Sequence, residues 1–374
     1  MRATLALLSL PLLSLAACGG GDGVNSLGTI APPGGGSGIG FGDTPVGNEP
    51  AHFLDVSTEK TFDALGSFQS LVIDPTTHAE LYRGNASSTA APSGTISYNP
   101  RDGIFTVAIS DTRAGVSREV RFQDPAHRTD YDPNLKPVLE APDLAGFNYL
   151  AAADGSTFFY QRPGTTTKAV TLAGFVHLEA DKTTGAVTTF EHGATVFGDP
   201  TSYLQVPIKG TGHYEGDFLA TMINQASFDT GGSASVFQWL VGSSSVDVDF
   251  AKSTVGLGLS GTVGKGYVGD VEVNDLALNV PSGTAFNATG SATIDTLAAG
   301  FVGKFTTASF GAGGTAIPID FTSVNPGSNS AGASSIDGRF YGKNATELGG
   351  NFRIVGGIPD QRIDIHGAFT GAAK

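Results

Sequence analysis

Residues 245–263 read Ser245-Val-Asp-Val-Asp-Phe-Ala-Lys-Ser-Thr-Val-Gly-Leu-Gly-Leu-Ser-Gly-Thr-Val263. Apolar and polar or small residues alternate on both sides of Ala251-Lys-Ser253, the period of two that marks half-buried strands joined by a tight turn. The same pattern recurs near 208–219, 234–241, 268–280, 284–294, 300–310, 316–324, 333–341, 349–355 and 362–370. With some segments merging or acting as loops, about eight to ten strands are expected. Short strands at regular spacing predict a sandwich or an up-and-down barrel. The alternating glycines of Gly256-Leu-Gly-Leu-Ser-Gly261 favour the barrel, on the expectation that they point inward and relieve crowding where a small barrel closes.

Working back toward the N-terminus, residues from about Ala51 to Pro207 are less regular and richer in proline and charge. Asp124-Pro-Ala-His-Arg-Thr-Asp-Tyr-Asp-Pro133 and the prolines at 137 and 142 predict a long polar loop. This region is read as a separate domain built on a smaller sheet, with the boundary near Val206-Pro207-Ile208.

Before it, residues 18–50 are dominated by Gly, Pro and Ser, as in Pro32-Pro-Gly-Gly-Gly-Ser-Gly38. Such a stretch cannot bury enough apolar surface to offset its ordering entropy and reads as a flexible tether. Residues 1–17 combine Arg2, an apolar run from Leu5 to Leu15 and the small pair Ala16-Ala17, a signal-peptide pattern too short to span a bilayer. Leu15-Ala-Ala-Cys18 resembles a lipobox, which implies acylation of Cys18, the only cysteine. The bland alternative is an ordinary signal peptide followed by an incidental thiol. Gly19, in place of the Asp that retains lipoproteins at the inner membrane, points to the outer membrane. Without a second cysteine the body has no disulfide and relies on its core.

The net charge of −14 argues against nucleic acid or an anionic lipid surface as a partner of the whole chain. Residues 51–200 carry 11 basic and 18 acidic groups, and residues 201–374 carry 9 and 14, so the acidity is not confined to a tail.

Few motifs point to chemistry. Gly256 to Gly261 has dinucleotide-fingerprint spacing but lies in a strand pattern with no following helix. Nucleophile-elbow, zinc-protease, Walker and EF-hand signatures are missing, and Cys18 is committed to lipid, so no catalytic residue is assigned. His177, Glu179, Glu191 and His192 could converge across a hairpin turning at Thr183-Thr-Gly185 as a metal site, the plainer reading being solvated cross-strand pairs. No metal or cofactor is assigned. His127 with Tyr131, or Tyr214, are the residue types that ligate haem, against simple exposure. Asn85, Asn287 and Asn344 head glycosylation-like triplets and read as turn or cap residues. Phe237 and Trp239 share one face and are assigned to barrel core. Phe158-Phe-Tyr160 predicts a strand buried on one side and covered on the other.

Gly210-Thr-Gly-His-Tyr-Glu-Gly216, Val246-Asp-Val-Asp-Phe250 and above all Gly338-Arg-Phe-Tyr-Gly-Lys-Asn-Ala-Thr-Glu-Leu-Gly-Gly-Asn-Phe352 resemble the barrel of transferrin-binding protein B-like lipoproteins, with Arg339 as an insertion in the signature. Thr195-Val-Phe-Gly-Asp199 is similar to the end of that family's handle domain. The resemblance implies an all-β chain: a small antiparallel-sheet handle at 51–207, then an eight-stranded up-and-down antiparallel β-barrel at 208–374. It covers one handle-plus-barrel lobe, where transferrin-binding protein B has two.

The resemblance further implies a non-enzymatic surface lipoprotein that captures an iron- or haem-carrying protein or solute for a TonB-dependent receptor, after export by a Slam-type translocon. A structural or adhesive envelope lipoprotein and a hydrolase are the competing readings. Read for itself, the signature is a structural corner: a strand from Ile336 to Tyr341, a capping-box-like turn at Asn344-Ala-Thr-Glu347, and a reversal at Gly349-Gly350.

Overall fold

The computed structural model describes residues 56–74, 80–82, 88–123, 140–162, 164, 166–225, 235–269, 271–274, 280–311, 315–322, 332–358 and 361–374. The first sheet contains β1 (Lys60–Ile73), β2 (Glu80–Tyr82), β3 (Gly94–Asn99), β4 (Ile104–Asp111), β5 (Val116–Gln123), β6 (Phe147–Ala151), β7 (Ser156–Gln161), β8 (Val170–Ala180) and β9 (Val187–Gly198). Its order is β5-β4-β3-β1-β9-β8-β7-β6, with β2 beside β1, and every pairing is antiparallel.

The second sheet contains β10 (Thr211–Gln225), β11 (Val236–Asp249), β12 (Thr254–Val268), β13 (Val271–Val273), β14 (Ala285–Asp295), β15 (Gly300–Phe310), β16 (Ile317–Pro318), β17 (Ala333–Tyr341), β18 (Glu347–Ile358) and β19 (Gln361–Ala373). β11 pairs with both β10 and β12, so β10, β11, β12, β14, β15, β17, β18 and β19 close into an eight-stranded up-and-down antiparallel barrel. The expected segments 234–241 and 245–250 are one strand, β11.

The barrel interior is apolar. Phe218, Leu257, Leu259, Phe286, Phe301, Phe305, Phe340, Phe352 and Phe369 belong to a single buried cluster. On the wall away from the first sheet, Ser243, Ser260, Asn287, Thr289 and Ser291 are exposed. This is the reverse of a membrane-spanning barrel, whose outer band is apolar.

The glycine expectation needs correcting in part. Gly256 and Gly258 point outward, and a Cβ at Gly256 would meet nothing within 4 Å. Gly261 does point inward, and it faces Gly242 across β11 and β12. A Cβ at either would come within 2.9 or 2.8 Å of the Phe218 ring. The crowding argument holds for this pair, which makes room for one aromatic ring, and again at Gly338, where a Cβ would collide with the Phe301 ring.

The irregular pattern of the first sheet also has a physical cause. β8 is buried continuously from Val170 to His177 and β9 from Thr189 to Gly198. A strand covered on both faces loses the polar half of its alternation. One face carries a core of its own, including Phe62, Phe105, Phe122, Phe158, Tyr160 and Phe175. The other face packs on the barrel. β7 shows the split directly, because Phe158 and Tyr160 enter the first core while Phe159 enters the contact with the barrel.

The corner signature turns elsewhere than expected. The chain reverses at Gly342–Thr346, through Asn344 and Ala345 with φ of 57° each, while Gly349 and Gly350 lie within β18.

Candidate functional site: the seam between the sheets

Alternation decides which side chains meet. From the first sheet Leu65, Leu71, Phe159, Leu172, Val176, Phe190, Ala194 and Val196 face the barrel, and from the barrel wall Leu219, Ile223, Phe237, Trp239 and Ala368 face back. Phe237 meets Phe190 edge-on at 4.9 Å between centroids, and Trp239 meets Phe159 edge-on at 5.5 Å. Phe237 and Trp239 therefore share a face as alternation requires, but that face looks out of the barrel into the seam. They are buried because a second sheet covers the wall, which corrects their assignment to barrel core.

A polar spine crosses this apolar contact. His366 Nδ1 lies 3.2 Å from the carbonyl oxygen of Ser67, so this nitrogen carries the proton and donates. His366 Nε2 is then an acceptor, 2.9 Å from Thr221 Oγ1. The same hydroxyl oxygen lies 3.2 Å from His192 Nδ1. Consistent donor and acceptor roles run from His192 through Thr221 and His366 to the Ser67 carbonyl, all with neutral rings. Both imidazoles are fully buried. Burial lowers the His366 pKa to about 4, opposed in smaller measure by Asp364 and the hydrogen bond to Ser67 and aided by Arg353. It holds His192 well below its ordinary value, helped by His366 itself. Beside them Arg353 pairs with the buried Asp364 at 2.8 Å.

Polar straps border the seam. The Glu347 carboxylate accepts the backbone N–H groups of Lys168, Ala169 and Val170 at 2.7, 2.7 and 3.0 Å. Burial raises its pKa, and these three donors oppose the rise. Glu347 thus joins the corner to the first sheet, in place of the capping box expected from sequence. Asn351 exchanges two hydrogen bonds with the Thr89 backbone, at 2.8 and 2.9 Å. Asp217 accepts from Gln161 at 2.6 Å and from Thr166 at 2.8 Å. Trp239 Nε1 donates to the Glu140 carbonyl. An apolar contact with so many directional bonds at its rim holds the two sheets in one orientation.

The residues singled out from sequence fare unevenly. His177 stands opposite Glu191 on the β8–β9 hairpin, but His192 is one residue further along and projects from the other face. His177 is bonded to Ser156 Oγ at 3.0 Å, and Glu191 to Arg118 at 2.7 Å. The two imidazoles are separated by the sheet, and His177, Glu191 and His192 are buried instead of solvated. No group of three or more His, Cys, Asp or Glu side chains is arranged to hold a metal ion among the described residues.

Tyr214 is also committed. It is buried, its hydroxyl donates to the Ala345 carbonyl at 2.7 Å, and burial raises its pKa to about 12. Asn287 lies within β14 and not in a turn, whereas Asn344 is a turn residue. Cys18, Asn85, His127 and Tyr131 lie outside the described residues.

The spine itself is missed by sequence reasoning. Ile363-Asp-Ile-His366 reads as a strand with Ile inside and Asp and His outside in water.

Residues 206–374 match the family model described as the C-lobe and N-lobe beta barrels of Tf-binding protein B. No curated protein matches the chain significantly. Among solved structures, a transferrin-binding protein B double mutant from Haemophilus parasuis Hp5 is 13% identical, with 87% of this chain and 78% of that chain covered and a TM-score of 0.34. Intact Ap-TbpB with its N and C lobes is 14% identical, with 88% and 80% covered and a TM-score of 0.33. Isotype 1 transferrin-binding protein B from serogroup B Neisseria meningitidis is 11% identical, with 85% and 77% covered and a TM-score of 0.30. The matched segment is the closed eight-stranded barrel, so residues 206–374 are similar to the beta barrels of Tf-binding protein B.

Proposed function

We propose that the chain is a non-enzymatic surface lipoprotein of the outer membrane, acylated at Cys18, whose handle-plus-barrel body at 51–374 captures an iron- or haem-carrying protein or solute. Delivery would be to a TonB-dependent receptor, after export by a Slam-type translocon. The observation that carries this reading is the family match of residues 206–374. The rigid seam supports it, because loops mounted on a fixed scaffold recognise a partner without first ordering that scaffold. The polar straps restrict the handle, and the filled barrel leaves no channel for a solute to cross.

The test is surface plasmon resonance of the mature chain against iron-loaded transferrin, iron-free transferrin, haemoglobin and haemin, with mass spectrometry of Cys18 from membranes. Saturable binding to one of these, with a diacylglyceryl group on Cys18, is the expected result. Absence of binding to all four, together with expression unaffected by iron, would leave the structural or adhesive reading in its place.

A further inference from the structure

The barrel has two unlike poles. At one, the tight connections 250–253, 296–299 and 342–346 meet the segment 199–210 that enters β10 and the C-terminal residues after β19. Thr201 N–H donates to the Phe340 carbonyl at 2.9 Å, Phe340 N–H to Ala299 at 2.9 Å and Phe250 N–H to Gly210 at 3.0 Å, so these connections form one surface. At the other pole three of the four connections are longer.

Large apolar side chains are exposed at the tight-turn pole. Among the described residues seven are exposed, and Tyr203, Leu204, Ile208 and Leu297 stand on the tight-turn pole. Leu204, Ile208 and Leu297 are 78, 79 and 83% exposed. Val206, between them, turns inward to close the barrel core. Lys209, Lys252, Lys343 and Lys374 are exposed at the same pole. The nearby acids are engaged: Asp249 pairs with Lys252 at 2.7 Å, and Asp295 accepts the N–H groups of Leu297 and Ala298 at 3.0 and 3.2 Å.

β1 also begins near this pole. Lys60, at the start of β1, pairs with Asp199, and Asp63 faces Arg339 at 3.8 Å, along a groove that continues to Pro200 and Tyr341. The stretch from residue 18 joins the described chain at Val56, four residues before Lys60. If it behaves as a flexible chain, its mean reach is about 30 to 35 Å, close enough to hold the pole near its anchor at millimolar effective concentration.

We infer that the tight-turn pole rests on the lipid surface to which the chain is anchored, with Tyr203, Leu204, Ile208 and Leu297 entering the headgroup layer and the lysines lying around them. Leucine and isoleucine gain from leaving water, tyrosine suits the interface, and lysine stems reach along an apolar surface while their ammonium groups stay hydrated. The net charge of −14 disfavours an anionic surface for the molecule as a whole, so it is local burial that carries the contact. Docked in this way, the barrel stands on end and its long-loop pole faces outward. The inference takes its orientation from the lipoprotein reading above.

The single cysteine allows a direct test. The mature chain, made without acylation, is coupled through Cys18 to maleimide phospholipid in vesicles of phosphatidylethanolamine and phosphatidylglycerol. Leu204→Trp places an indole at the pole, and Ser260→Trp places one on the barrel wall as a control. Brominated acyl chains are expected to quench the first at least about twofold more than the second, and Ile208→Ser with Leu297→Ser to remove the difference.

Equal quenching at the two positions, or quenching at 204 unaffected by the two serines, overturns the inference. So does shielding of the indole that depends on protein concentration without lipid, which would mark an interface between copies. Because the coupling is chemical, its outcome is independent of acylation in the cell. An unlipidated Cys18 in mass spectrometry would sink the anchor reading and leave this result to stand or fall separately.

Discussion

The imidazole rings of His192 and His366 lie 5.3 Å apart between centroids, nearly parallel, one carried by the handle sheet and the other by the barrel wall. Thr221 bonds to both, at 3.2 and 2.9 Å. The junction of the two sheets therefore contains two groups that must stay neutral for the apolar faces to remain closed.

Acid should weaken this junction. Each imidazole titrates lower in the folded chain than its ordinary value of 6.5, so the unfolded chain takes up protons first as the pH falls. The stability these groups contribute is complete above about pH 6.5 and is lost as the pH falls toward the folded value of about 4 for His366. For His366 alone the loss amounts to roughly 3 kcal/mol at its limit. Thermal unfolding followed between pH 7.5 and about 4.5 should show a falling midpoint. The double variant His192→Gln, His366→Gln should start lower and fall less steeply. Parallel pH profiles for the two proteins would contradict this account.

Removal of the Glu347 side chain should cost more than a surface mutation. Glu347→Ala leaves three backbone N–H groups at Lys168, Ala169 and Val170 without their acceptor. The expected destabilisation is about 2 to 4 kcal/mol in urea unfolding. Glu347→Gln keeps one acceptor oxygen and sheds the buried charge, so it should fall between the native chain and the alanine variant.

Two glycines of the same strand should respond oppositely to alanine. At Gly261 the new methyl group would come within 2.8 Å of the Phe218 ring in a filled core, and the cost should be about 1 to 3 kcal/mol. At Gly256 it would meet nothing within 4 Å. Gly256→Ala should be neutral or stabilising by up to about 1 kcal/mol, because the unfolded chain loses freedom. Equilibrium denaturation of the two variants side by side is sufficient to check this.

Trp239 is the only tryptophan and reports on the seam. Trp239→Phe preserves an aromatic ring against Phe159 and Phe237 but withdraws the donor from the Glu140 carbonyl. It should cost about 1 to 2 kcal/mol, and Trp239→Ala about 3 to 5 kcal/mol. If Trp239→Ala proved neutral, the seam would not contribute to the stability of the folded chain.

What the amino-acid sequence determined on its own was local and periodic. Alternation in Ser245 to Val263 and its repeats specified strands and their tight turns, because the inward and outward sets of one strand are set by a period of two, and it left sandwich and barrel both open. The Gly338 to Phe352 signature was legible as a corner for the same reason. Sequence could not say what lies against the outward set. Asp364, His366, Thr221, Phe237 and Trp239 read as barrel core or wet wall until a second sheet, paired through residues more than a hundred positions away, covers them. Their burial, the lowered imidazole pKa values and the capture of Glu347 by the Lys168–Val170 backbone are decided by that packing, because desolvation depends on everything nearby in space and leaves no mark on the residues next in the chain.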